Sequence, residues 1–177
     1  MSASSGKLPR ILELGANLAI IVTSIVLIAT AVRYWQNSRS SRTPVRTVAP
    51  GDSLVPAKLP LNPQKRTLMF VLQVGCRFCT SSAPTFRDII QTVSKRGDVD
   101  LLAVLPQNTQ TSSGYLEGLG LSLPTFRASL SDLHVRGTPT VILCDGAGKV
   151  LSVWAGALDE KRGADIVNAV SQREGYK

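Results

Sequence analysis

Three short apolar runs leave few folds open to residues 67–177. They are TLMFVLQV (Thr67–Val74), VDLLAVLP (Val99–Pro106) and TPTVILCD (Thr138–Asp145). Each is too short for a core helix and too continuously apolar for a strand with one wet face, so each reads as a strand buried on both sides. Gly75 ends the first run, and the apolar period then changes. Cys79, Ala83, Phe86, Ile90 and Val93 fall at helical spacing, with Arg87, Asp88, Gln91 and Lys95 elsewhere on the wheel, and Gly97 reads as the stop. Strand, helix, strand is a βαβ unit, whose crossover is right-handed by rule. GAGK after the third run is a turn, and VLSVWAG (150–156) returns antiparallel as a hairpin. DEKRGADIVNAVSQ (159–172) is a last helix, with Asp159 at its N-terminus and Ile166, Val167 and Val170 on its apolar face. Between the second and third runs, QNTQTSSG reads as a polar loop and residues 115–135 as one or two short helices. The class is α/β.

The N-terminal third is different. After a tail, residues 1–13, the run LGANLAIIVTSIVLIATAV (Leu14–Val32) has nineteen residues, no charge and Asn17 as its one strongly polar member. About 20 apolar residues span a bilayer as a helix. The run is apolar all round, unlike an amphipathic core helix, and Arg33, Tyr34 and Trp35 follow as an interfacial cluster. A transmembrane helix is expected at 14–32. ATA at Ala29–Ala31 has the small-x-small look of a signal-peptidase site, but the run is long for a signal peptide, which favours an uncleaved anchor. Residues 33–66 read as a Pro-, Ser- and Arg-rich linker and lead-in, in which Leu54, Val55, Leu59 and Leu61 are positioned to begin contact with the domain at 67–177.

Charge follows this division. Residues 1–66 carry nine Lys/Arg against Glu13 and Asp52, a net +7, whereas residues 67–177 carry eleven against ten, a net +1. The folded part is nearly neutral, which argues against a nucleic-acid-binding domain. Basic residues beside an apolar segment fit an anionic lipid surface instead.

Cys76 and Cys79 sit at the junction of the first strand and the helix. A cysteine there meets unpaired backbone N–H groups, which favour thiolate over thiol, and Arg77 adds a cation. Cys79 lies on the same helical face, deeper, at a spacing that can close a disulfide. Cys76 is therefore the expected nucleophile and Cys79 the resolving cysteine. A zinc or copper site lacks ligands: beyond this pair the chain holds only Cys144 and His134. Gln73 stands where a peroxiredoxin-type peroxidase has threonine. No metal and no organic cofactor is expected. Cys144 reads as a buried inert thiol, His134 as a loop residue, Trp154 and Phe126 as core, and Arg136 as solvated or as a substrate contact.

CRFC after a buried strand, Pro84 five residues past Cys79, and VRGTPTVIL (135–143) together resemble thioredoxin-fold thiol–disulfide oxidoreductases. In layout the chain is similar to membrane-anchored TlpA/ResA-like redoxins. The resemblance runs from about Leu68 to the last helix. It implies a thioredoxin-like fold, a central mixed sheet flanked by helices, here preceded by one transmembrane helix. It implies that Thr138–Pro139 is a cis peptide facing the cysteines, so that Thr138 and Pro139, with Gly75 and Arg77, border a substrate groove. Two departures stand out. Gly75 replaces the bulky residue usual before the first cysteine, and TLMFVLQV holds no buried acid to relay a proton.

The implied activity is exchange of a CxxC dithiol or disulfide with protein substrates through a mixed disulfide, supplied by an upstream redox partner protein. The alternative is a non-catalytic thioredoxin-fold binding or assembly module. The resemblance implies the bacterial cell envelope, with the domain periplasmic or otherwise extracytoplasmic. The positive-inside count, two Lys/Arg before the segment and four closely after it, points to the cytoplasm.

Overall fold

The computed structural model describes residues 20–33 and 47–172. The chain divides into two compact units, Met1–Val45 and Arg46–Lys177. In the first, residues 20–33 form helix α1, with apolar side chains such as Ile20, Ile25 and Leu27 exposed. The Thr30 hydroxyl donates to the carbonyls of Val26 and Leu27, both at 2.9 Å, which satisfies it within the helix. No helix among the described residues is long and apolar enough to cross a membrane. The expected span began at Leu14, and residues 14–19 lie outside the described residues, as do the tail 1–13 and residues 34–46.

The second unit is built on a five-stranded mixed sheet. Its strands are β1 (Arg66–Val71), β2 (Val99–Leu105), β3 (Thr125–Arg127), β4 (Thr140–Cys144) and β5 (Val150–Ala155), in spatial order β3-β2-β1-β4-β5. β1 pairs parallel with β2 from Arg66↔Val99 to Val71↔Val104, and antiparallel with β4 from Thr67↔Cys144 to Val71↔Thr140. β3 is parallel to β2 and β5 antiparallel to β4.

Side chains alternate across the central strands, and both faces are buried. Leu68, Phe70 and Leu72 of the first run join Ala103, Leu105, Val141 and Leu143 on one face. That face is covered by α3 (Ala83–Ser94) through Phe86, Ile89 and Val93, by α5 (Glu160–Ser171) through Ile166 and Val170, and by Leu116 of α4 (Thr109–Gly118). Phe86 meets Phe70 edge to face, with ring centroids 5.5 Å apart. Met69, Val71, Leu102, Val104, Ile142 and Cys144 point the other way. Among the described residues no α-helix covers this second face. It is closed by Val48 and Leu54 from the lead-in and by Ala128, Leu133 and Val135 from the loop after β3.

The lead-in is consequently part of the packed unit. Val48 N–H donates to His134 O at 2.9 Å, Leu54 N–H to Gly148 O at 2.8 Å, and Ser53 bridges to Lys149 beside the β4–β5 hairpin. Val55–Ala57 make a single 3₁₀ turn. Gly146, in that hairpin, sits against the backbone of Asn62 and Pro63, where a Cβ has no room.

Three local expectations change. The loop expected at QNTQTSSG is mostly helix: Asn108 caps α4, its Oδ1 accepting from Thr111 N–H at 2.9 Å. Its apolar signal is faint because only Ser112 and Leu116 of the helix are buried. Within 115–135, where short helices were expected, β3 adds an edge strand, and Pro124 O accepts from Ala103 N–H at 2.9 Å. The helix after Cys76 is two helices, α2 (Arg77–Ser81) and α3, broken at Ser82. Pro84 has no N–H to return to the preceding turn, so the break falls just before it.

Leu54 is 2% exposed although it precedes the first strand by twelve residues of mostly irregular chain. Leu54→Ala is expected to cost about 2–5 kcal/mol, as for other large-to-small core changes, read as a lowered urea midpoint with an unchanged slope. A linker residue would move the midpoint by almost nothing.

Candidate active site

β1 ends at Val71, and Leu72 continues its pairing by donating to Val104 O at 3.0 Å. Residues 73–76 then turn, with Cys76 N–H on Gln73 O at 3.1 Å and Gly75 at φ +80°. This left-handed conformation favours glycine, although a Cβ on Gly75 would meet nothing within 4 Å. The missing bulky guard is thus a matter of backbone geometry and not of space.

Cys76 is the N-cap of α2. Its Sγ accepts from Cys79 N–H at 3.1 Å, and its carbonyl accepts from Thr80 N–H at 3.1 Å. The two cysteines form a disulfide with Cα atoms 5.3 Å apart. Their exposures differ: Cys76 is half-buried, whereas Cys79 is 0% exposed, packed with Ala83 and Phe86. α2 has only five residues, so the donor at the cysteine is a specific N–H group and not the summed dipole of a long helix.

The loop before β4 comes up against the same sulfur. The Thr138–Pro139 peptide is cis, and Thr138 O lies 3.3 Å from Cys76 Sγ. Thr140 Oγ1 donates to Gly137 O at 2.8 Å, and Gly156 N–H donates to Pro139 O at 2.8 Å, so the loop is held from both sides. Thr138 is half-buried and Pro139 buried. Gly75 and Arg77 are exposed beside them, and the Arg77 guanidinium lies 4.6 Å over the Phe78 ring centroid.

Ser82 was not singled out in the sequence. It is fully buried at the α2–α3 break, where its hydroxyl donates to Phe78 O at 2.8 Å and accepts from Leu158 N–H at 2.9 Å. It ties the cysteine-bearing turn to the segment that follows β5. The available signal was a polar residue three positions past Cys79, on the face that goes on to Phe86.

The remaining candidates lie elsewhere. Cys144 is a buried free thiol at the end of β4 distant from Thr140, its Sγ 3.6 Å from Thr67 O. Burial, with the Asp145 charge beside it, pushes its pKa up to about 11. Asp145 is the buried carboxylate among the described residues, and it serves the β4–β5 turn, its Oδ1 accepting from Ala147 and Lys149 N–H groups at 2.9 Å. It is not the proton acceptor that β1 lacks. His134 is exposed at φ +53°. Trp154 and Phe126 are half-buried, one against each face of the core. No group of metal-ligating side chains occurs among the described residues.

Solved structures similar to the chain share one fold. The thioredoxin domain of a thiol-disulfide oxidoreductase from Bacteroides vulgatus aligns at TM-score 0.56 and 14% identity, over 71% of this chain and 100% of that one. A candidate thiol:disulfide interchange protein DsbE from Chlorobium tepidum aligns at 0.55 and 19% identity, over 71% and 100%. StoA from Bacillus subtilis aligns at 0.52 and 18%, over 62% and 85%. Neither a protein-family model nor a curated protein sequence matches the chain. The chain has a thioredoxin-like α/β fold, a central mixed sheet with flanking helices.

Ser82→Ala leaves Leu158 N–H buried without its acceptor, at a cost of about 1–3 kcal/mol in chemical unfolding. Cys144 in the folded protein resists iodoacetamide at pH 8 and reacts once urea unfolds the chain. Its folded pKa lies above its ordinary 9.0, so its contribution to stability is complete below pH 9 and is lost as pH rises toward about 11. Cys144→Ala should lose less stability than the parent over that interval.

Proposed function

We propose that the protein is a thiol–disulfide oxidoreductase acting on protein substrates. The observation that carries this reading is the asymmetry of the pair: a half-exposed Cys76 sulfur accepting a backbone N–H, joined to a wholly buried Cys79. In the reduced protein that N–H favours the thiolate of Cys76. The thiolate attacks one sulfur of a substrate disulfide, a mixed disulfide forms, and the other substrate sulfur leaves as thiolate. No carboxylate occurs in residues 73–82 or 136–142, so the departing thiolate is the nearest base for the Cys79 proton. Cys79 then attacks the Cys76 sulfur and releases the second substrate thiol. The protein is left oxidised, and an upstream dithiol protein returns it to the reduced state. The same steps in reverse oxidise a substrate dithiol. Thr138 and Pro139, with Gly75 and Arg77, border the place where the substrate chain lies, the backbone of the cis-proline loop offering it an edge.

The apolar run Leu14–Val32 tethers the domain to a membrane, and the bacterial cell envelope is the setting in which a tethered CxxC pair has disulfides to act on. The domain then faces outward, against the positive-inside count. A topology reporter fused to the C-terminus reads this directly, and an active cytoplasmic reporter would overturn it.

The activity is tested with the full-length chain in a non-ionic detergent, using insulin disulfide reduction with dithiothreitol as electron donor. Turnover above the dithiothreitol background is expected. Cys76→Ser should abolish it, and Cys79→Ser should accumulate a mixed disulfide visible as a mass adduct. No turnover by the parent chain would leave a binding module as the better reading, and activity surviving Cys76→Ser would remove Cys76 as nucleophile.

A further inference from the structure

Residues 73–82 carry the disulfide, residues 136–142 reach Cys76 Sγ through Thr138 O, and residues 153–158 are tied to both through Gly156 N–H on Pro139 O and Leu158 N–H on Ser82 Oγ. Their formal charges are Arg77 and Arg136, and no Asp or Glu occurs in any of them. A third arginine is bound to their edge. Arg162 donates from Nη2 to Ala155 O at 2.8 Å and from Nη1 to Ala157 O at 2.7 Å. These carbonyls flank Gly156, whose own N–H is on Pro139 O at 2.8 Å. The nearest acid in sequence, Asp159, lies one residue past the third segment, where it caps α5 by accepting from Arg162 N–H at 2.9 Å and offsets the charge of Arg162. The disulfide turn itself thus carries Arg77 as its one charge, in a domain that is nearly balanced as a whole.

Arg77 is exposed one residue from the nucleophile, and its guanidinium lies over the ring of Phe78, itself 46% exposed. The contact holds the cation on the ring, one residue along the chain from the nucleophile, and leaves part of the ring in solvent. Such a surface suits a segment that is anionic and partly apolar, and it repels a cationic one.

We infer that the site selects substrates whose reactive cysteine lies among acidic residues, discriminating against cysteines flanked by Lys or Arg. The inference rests on the thiol–disulfide reading above and names the substrate class for it. Arg77 is the specificity-determining residue. The charge acts on the approach of the substrate disulfide and on the thiolate that leaves it, both close to the guanidinium. The chemistry is unchanged. Cys76 sulfur bonds to one substrate sulfur, the other departs with the electron pair, and Cys79 completes reduction of the substrate while the protein becomes oxidised.

The test uses the full-length chain, reduced with dithiothreitol and freed of it, in a non-ionic detergent. It is mixed with three small disulfides of graded charge: dithiodipropionate (anionic), hydroxyethyl disulfide (neutral) and cystamine (cationic). The rate of Cys76–Cys79 oxidation is read by quenching and mass analysis of alkylated thiols; each charged rate is divided by the neutral one, and then by the same ratio measured with free dithiothreitol, which removes the intrinsic reactivity of each disulfide. These ratios cancel any change in the nucleophilicity of Cys76. An anion-to-cation ratio of about tenfold at 20 mM salt is expected, falling toward unity at 0.5 M. Arg77→Glu should invert the ratio and Arg77→Lys should largely keep it. A ratio at or below one for the parent, or one indifferent to Arg77→Glu, overturns the inference while the neutral disulfide still reports an active protein. Failure to reduce even the neutral disulfide overturns the thiol–disulfide reading itself, and the inference with it.

Discussion

The constraint on which the domain depends is the burial of β1 on both faces. Its backbone is paired on both sides, to β2 and β4, and its side chains alternate between two separate apolar layers. Unpaired backbone groups in such a place would each cost a hydrogen bond, so the strand must stay in the middle. Everything useful about the site follows from where this strand stops. Its C-terminal end is fixed by the sheet, and the turn through Gly75 delivers Cys76 to that end with little freedom. The antiparallel pairing of β4 brings its first residue, Thr140, opposite Val71, and so carries the Thr138–Pro139 peptide to the same edge. Sheet register thus carries two residues 62 positions apart in sequence to the same edge, and the held cis-proline loop brings them within 3.3 Å.

The two layers are closed by different means. One face is covered by α3, α4 and α5, of which α3 and α5 advertise their buried side by helical period. The other is covered by an irregular lead-in and a loop, so part of the domain's stability comes from residues that look like linker. Leu54 and Val48 contribute core burial while their neighbours Pro50, Gly51 and Pro56 suppress regular structure. Chain that connects the N-terminal unit to the sheet is thereby also part of what holds the sheet closed.

The strands and the last helix were legible because both-face burial and a 3.6 period each leave a strong pattern. The apolar runs placed β1, β2 and β4 to within a few residues, and Asp159 marked the start of α5. What was missed lacks such a pattern. α4 buries only Ser112 and Leu116, so its first six residues read as polar loop and its last four fell in a stretch expected to hold short helices, and its start is announced only by the Asn108 cap. β3 is three residues on an edge, too short to show alternation. Of the candidate site, the cysteine pair and the Gly-Thr-Pro-Thr segment stood out as residue types. Their approach is a tertiary fact that no local pattern encodes. Ser82 was invisible for the same reason, since its acceptor and donor partners are Phe78 O and Leu158 N–H, one of them 76 residues away.

Gly75 joins these points. A large side chain at that position would shield the disulfide but would also have to live at φ +80°, where a Cβ is strained. The turn that brings Cys76 to its amide donor is thus bought with an open flank. On that flank stand Arg77 and Phe78, and the surface left uncovered by the glycine is the one they border. On the other side of the sulfur the cis-proline loop comes close, with Thr138 O 3.3 Å from Cys76 Sγ. The Cys76 sulfur is accordingly bordered on the β4 side by the backbone of the cis-proline loop, the edge proposed above for the substrate chain, and Arg77 and Phe78 follow Cys76 in the chain, so that charge on an arriving segment is met next to the nucleophile.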